Sequence, residues 1–163
     1  MPQPLRDPDV SLSLDLLTWE EPIPALEWMN NLSRWAPMTS WVMLDALVRM
    51  VGSGPDWRFL VVQEVADPFA ADGHLYAQTL GSQAAGLAVE IGEFRPPDSE
   101  DLWRLGTVGG ATRPQVNVHS DPQLTLIVQR NEVLAPGVAL GGLIAWLADH
   151  EVSPGLQRQR VYY

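Results

Sequence analysis

Between His74 and Phe94 the chain reads HLYAQTLGSQAAGLAVEIGEF, and its apolar pattern has a period of two. Leu75, Ala77 and Thr79 alternate with Tyr76, Gln78 and Leu80; GSQAAG then interrupts with small and polar residues before LAVEIGEF resumes. Alternation of this kind puts successive side chains on opposite faces of a strand. The six-residue link between the two runs is too short for a parallel crossover, which needs about a dozen residues or more. Upstream, WRFLVVQEV from Trp57 is rich in Val and Phe over a strand's length, and DPFAADGH supplies Pro and Asp-Gly for another reversal. Three strands in succession make an antiparallel meander, and the rest of the fold has to be built around it.

The flanking segments read as helices. Pro22 and Pro24 precede ALEWMNNLSRW, where Leu26, Met29 and Leu32 with Trp28 and Trp35 fall near helical spacing, so the pattern predicts a helix over 23–35. In APMTSWVMLDALVRMVGSG, Thr39 or Ser40 is a candidate N-cap, Trp41, Leu44, Leu47, Val48 and Val51 share one face, and Gly52 and Gly54 close the helix. That Trp and Met stripe at helical spacing is assigned to the core rather than to a ligand groove. RPPDSEDLWRLG predicts a short helix capped by Asp98 or Ser99, carrying Leu102, Trp103 and Leu105 and stopped by Gly106. Strands are expected at 115–118 and 124–130, and a last helix at about 136–150 turns Val138, Leu140, Leu143, Ile144 and Leu147 inward.

The expected architecture is α+β, an antiparallel β-meander sheet formed by 57–92 and 115–130 with helices packed against it, in the order ααβββαββα. Residues 1–22 read as a lead-in or covering segment, within which 10–19 alternate like a short strand; 23–153 form a single domain. The tail 154–163, with Arg158 and Arg160 and no acid, is the only net-basic segment and is expected to extend from the domain, docking on the acidic body or on a partner.

Charge narrows the partners. All ten basic residues are Arg, against twenty Asp and Glu, for a net charge of −10. Phosphate backbones are held mainly by positive charge, so nucleic acid is not an expected partner. Cysteine is absent, which removes disulfides, thiolate metal sites and cysteine nucleophiles together. The N-terminus lacks a basic start and an unbroken apolar run, and no segment reaches about 18 uninterrupted apolar residues, so a cytoplasmic protein without membrane contact is expected. Frequent Arg, Ala, Gly, Pro and Trp without Lys suggest a GC-rich bacterial source.

No catalytic constellation stands out. His74 opens a strand, His119 lies in NVHSD and His150 ends a helix, where its partial positive charge suits the C-terminal dipole. None is paired at a metal-ligand spacing, and neither metal nor cofactor is expected. Adjacency of His119, Ser120 and Asp121 is no sign of a triad, whose members come from distant positions. Gly109 and Gly110 lack the Gly-Lys-Ser/Thr ending of a phosphate loop. Glu90 interrupts an apolar strand between Val89 and Ile91; strand alternation lets it point outward while its neighbours point in. An enzyme or ligand-binding reading would need Glu90, His74, Tyr76 or His119 to converge on a pocket.

Four short signals lie within about residues 57–151: the aromatic-x-Gln strand YAQ, the strand-borne Glu of GLAVEIG, the acidic-start helix ending in Leu-Gly in DLWRLG, and the Asn of VNV. Together they resemble the bacterial type III secretion chaperone-like domains of the YbjN and TY-Chap group. Where the family commonly has Trp after Leu-Gly, this chain has Thr107. The resemblance implies a non-catalytic protein-binding domain, chaperone-like or adaptor, often a homodimer, holding a protein client through a sheet edge or apolar groove; that edge or groove is expected near Trp57, Tyr76, Gln78, Glu90 and Trp103. The acidic surface would favour basic clients. A small acidic α+β chain without a catalytic constellation suits equally an immunity-type protein that neutralises a toxin.

Overall fold

The alternating stretch becomes the middle of a seven-stranded antiparallel sheet. The computed structural model describes residues 22–65, 73–95, 99–109, 115–121 and 124–161. In chain order the elements are β1 (Leu26–Met29), β2 (Ala36–Met38), α1 (Trp41–Met50), β3 (Phe59–Glu64), β4 (His74–Ser82), β5 (Gly86–Arg95), β6 (Ser99–Thr107), β7 (Gln115–Asp121), β8 (Leu124–Gln129), a 3-10 turn (Arg130–Glu132), α2 (Pro136–Asp149) and β9 (Leu156–Arg160). The sheet runs β2-β1-β3-β4-β5-β6-β9, while β7 and β8 pair with each other as a separate two-stranded sheet. The class is α+β. The expected meander is present as β3-β4-β5 and continues into β6.

Alternation decides which face each side chain meets. Leu75 and Ala77 of β4 and Leu87, Val89 and Ile91 of β5 lie on one face and belong to the main core with Leu143 and Leu147 of α2 and Leu44 and Val48 of α1. Leu80 and Ala88 point the other way, where Val128 and Leu126 of β8 cover them in a smaller apolar cluster. β7 lies across β4 and β5 on that second face. The sheet is therefore sandwiched between two helices and a hairpin, and Leu87 to Gly92 are buried without a break.

The two helices form where the sequence signals them. The Ser40 hydroxyl accepts the Met43 N–H at 3.0 Å, supplying the side-chain cap of α1. At its other end Gln83 Nε2 donates to the Val48 carbonyl at 2.9 Å, and Gly52 turns the chain with φ +79°, a left-handed conformation. A Cβ there would lie 2.3 Å from the Gly81 carbonyl oxygen, so glycine is needed for close approach as well. α2 opens on Pro136 at its first helical position and closes on His150, whose φ of 59° ends the helix in the left-handed region.

Four expectations are corrected. The helix placed over 23–35 is the hairpin β1–β2: the Asn30 Oδ1 accepts the N–H groups of Leu32 and Ser33 at 3.1 and 2.7 Å, closing a turn where a helix would have continued. β1 then finds β3 as a partner along its whole length. The short helix placed at Leu102–Leu105 is β6, which pairs with β5 on one side and β9 on the other; two neighbours offering ladder bonds outweigh a short helical pattern. The strands at 115–118 and 124–130 exist, but as a covering hairpin instead of as members of the main sheet. The tail does not extend away: Leu156–Arg160 is the edge strand β9, tied down by Arg160 to Asp101 at 2.6 Å and by Arg158 stacked over the Trp103 ring at 4.6 Å. The lead-in with its strand-like 10–19 stretch, most of the DPFAADGH reversal, Asp98 and Gly110 lie outside the described residues.

Candidate functional site

Strand register assembles a polar row on the hairpin side of the sheet. Gln78 of β4 faces Glu90 of β5, Glu90 faces Arg104 of β6, and Arg104 faces Gln159 of β9. Glu90 is only 1% exposed, which corrects the outward-pointing expectation: it does point to the other face, but the hairpin β7–β8 closes over that face. A carboxylate cannot be left bare in such a place. Its Oε2 accepts from Gln78 Nε2 at 2.5 Å, and its Oε1 accepts from Arg104 Nε and Nη2 at 3.2 and 2.7 Å.

A second acid reaches the same guanidinium. Glu132, also buried, lies in the 3-10 turn with Oε2 3.5 Å from Arg104 Nη1. The same oxygen accepts the Gln129 N–H at 2.8 Å, which fixes the carboxylate against the start of the turn. One arginine thus bridges the sheet to the segment leading into α2. Beside it lies a cleft of about 210 Å³ whose lining includes Arg104, Glu132, Gln129, Gln159, Arg160 and Val161.

Tyr76 also lies on the hairpin side, but not with Glu90. It faces Gly92 across the ladder and its hydroxyl donates to the Glu100 carboxylate. The Tyr76 ring occupies the space a side chain at position 92 would need, since a Cβ on Gly92 would fall 2.4 Å from the ring carbon Cζ. Gly92→Ala is therefore expected to displace the ring, break the contact with Glu100 and destabilise the fold by about 1–3 kcal/mol. Chemical denaturation of the pair checks it, and an unchanged midpoint would contradict the packing.

The remaining sequence candidates are distributed. Trp103 lies on the helix side, edge-on to Trp146 with ring centroids 6.2 Å apart. His74 sits against Phe94, ring centroids 5.4 Å apart. His150 Nε2 lies 3.1 Å from Glu64 Oε1. His119 falls in β7, and its side chain is outside those described. Glu90, Tyr76 and His74 are thus held by three separate sets of neighbours. Among the described residues no group of three or more His, Asp or Glu could hold a metal ion, and no helix is long and apolar enough to cross a membrane.

At the opposite end of the sheet the aromatic residues gather. Trp57 stacks on Trp28 with centroids 5.9 Å apart and planes 13° from parallel. The β1–β2 turn is fastened to the segment before β3 by Asn31, whose Oδ1 accepts the Arg58 N–H at 2.9 Å and whose Nδ2 donates to the Pro55 carbonyl at 2.5 Å. On that turn Leu32 is 69% exposed and Trp35 39%. Trp57 is the site candidate of this group that the sequence offers; the helical spacing places Trp28, Leu32 and Trp35 on a helix that does not form.

Tyr76 and Gln78 lie on β4, the central strand of the sheet, and present no edge. The chain was compared with protein-family models, with curated proteins and with solved structures. None of them matches it.

Proposed function

We propose that this chain is a non-catalytic protein-binding domain, chaperone-like or adaptor, that holds its client on the aromatic end of the sheet. The observation that carries the reading is the exposed pair Leu32 and Trp35 on the β1–β2 turn, which Asn31 fastens to the segment before β3, while the Trp28–Trp57 stack packs against the core. Apolar surface gathered at one place costs solubility unless something covers it, and Trp is the residue most enriched among those that dominate protein interfaces. The Asn30 and Asn31 hydrogen bonds hold the turn in one shape before binding, which lowers the entropy lost on association. Glu90 is engaged by Arg104 and Gln78, and a carboxylate held that way serves as a structural anchor.

Affinity capture from native lysate tests this, with the wild-type chain beside a Leu32→Ser/Trp35→Ser double variant. Both positions are solvent-facing, so the variant keeps its core. One dominant protein at a fixed ratio with the wild type, reduced about tenfold or more with the variant, is expected. A lone wild-type protein, or capture that the variant leaves undiminished, would refute the reading. The identity of the captured protein separates a chaperone client from a toxin.

A further inference from the structure

The geometry points to β9 as the docking edge for an extended acidic segment of the client, an inference that rests on the protein-binding reading and adds the partner's chemistry. β9 is a terminal strand of the sheet, and no strand lies on its outer side among the described residues. Val161 N–H donates to the Leu102 carbonyl at 2.9 Å and the Gly155 carbonyl accepts from Val108 N–H at 2.9 Å. By the two-residue alternation of an antiparallel ladder, the backbone groups of 157 and 159 also turn toward β6 while those of Arg158 and Arg160 turn outward. A strand added there would bond to those two residues, the mode by which sheet edges take up extended peptides.

Charge selects the occupant. Arg158 faces Leu105 and Arg160 faces Trp103, so both arginines stand on one face of the strand, two residues apart. Each is held in place, by the Trp103 ring and by Asp101 respectively. On a chain of net charge −10 this edge is locally basic, so a strand bearing carboxylates at alternate positions would set each of them opposite an arginine. A second copy of the chain fits poorly: antiparallel pairing of two β9 strands about Arg158 or Gln159 sets arginine against arginine, and like charges directly opposite are destabilising. The partner read from whole-chain charge is basic, but the segment that this edge recognises is acidic. The cleft beside Gln159 and Arg160 leaves room for the added strand's side chains on the hairpin side.

The test is titration of the isotope-labelled full chain with two synthetic peptides, Thr-Glu-Val-Glu-Val-Thr and its Lys-for-Glu counterpart, followed by amide chemical shifts and exchange. The acidic peptide is expected to shift residues 156–161 and to slow exchange of the Arg158 and Arg160 amides, binding at least about threefold more tightly than the basic one. Arg158→Glu/Arg160→Glu should invert that preference. Equal binding of both peptides, shifts confined to other strands, or no shifts at millimolar peptide would overturn the proposal. So would exchange protection of those two amides before any peptide is added, or a concentration-dependent dimer that the double variant abolishes. Client capture separates the two readings: capture lost in Leu32→Ser/Trp35→Ser but intact in Arg158→Glu/Arg160→Glu sinks the β9 edge alone, whereas capture indifferent to the loop variant refutes the aromatic surface.

Discussion

Arg104→Ala is expected to cost the fold about 3–5 kcal/mol, the usual penalty when one partner of a buried ion pair is removed and the other is stranded. Arg104 lies between Glu90 and Glu132, within 2.7 Å of one and 3.5 Å of the other, and both acids are buried. Without it two carboxylates would face each other in a region closed by the β7–β8 hairpin. In urea, where a small domain loses about 1–3 kcal/mol per molar denaturant, the midpoint should fall by roughly 2 M. Arg104→Lys should recover only part of the loss, because an ammonium cannot present the Nε and Nη2 hydrogens together to Glu90 Oε1. Glu90→Leu/Arg104→Met removes both members of the main pair and should stand well above Arg104→Ala. A midpoint for Arg104→Ala within about 0.3 M of wild type would show that water reaches the row freely.

Trp146→Ala is expected to cost about 3–5 kcal/mol by another route, the loss of a large buried aromatic and the cavity it leaves. Trp146 is almost fully buried between α2 and the sheet, edge-on to Trp103. Its indole Nε1–H donates to the Tyr76 carbonyl at 3.1 Å, tying α2 to the central strand. Trp146→Phe keeps much of the volume and gives up the donor, so it should lose about 1–2 kcal/mol. Thermal and chemical denaturation of the two variants separate packing from hydrogen bonding; equal losses would mean that the hydrogen bond, not the ring volume, dominates the site.

These two residues illustrate how far sequence reasoning reaches. Trp146 lies in a helix whose apolar spacing and terminal Pro136 announce it, although its partner Trp103 was assigned to a helix that is a strand. Arg104 sits in that same misread segment, DLWRLG. Leu102 and Leu105 have helical spacing there, and nothing local reveals that β5 and β9 wait on either side. The carboxylate at Glu90 was visible as an anomaly in an apolar strand, but its burial was not. That depended on a hairpin thirty residues or so further on folding over the second face of the sheet.

The β1–β2 turn shows the opposite weighting of local signals. Asn30 and Asn31 were present in the sequence as turn formers, and Pro37 as a residue suited to an edge strand. The spacing of Leu26, Met29 and Leu32 points to a helix all the same, because a short amphipathic pattern carries no information about whether a strand partner exists. β3 is that partner, and its ladder makes the strand the lower-energy choice. The exposed patch follows from this change: the hairpin keeps Trp28 against the core, stacked on Trp57, and turns Leu32 and Trp35 to solvent.

By itself the sequence determined the α+β class, the central meander, the helices at 41–50 and 136–149 and the acidic, cysteine-free character of the chain, because period, caps and turn residues act within a few positions of one another. Tertiary structure alone decided that residues 26–29, 36–38 and 99–107 are strands, that the basic tail joins the sheet as the edge strand β9, and that Glu90, Arg104 and Glu132 meet under a hairpin. Each of those outcomes depends on pairing between segments far apart in the chain, and the free energy of a ladder bond or a buried ion pair exists only once the partner has arrived.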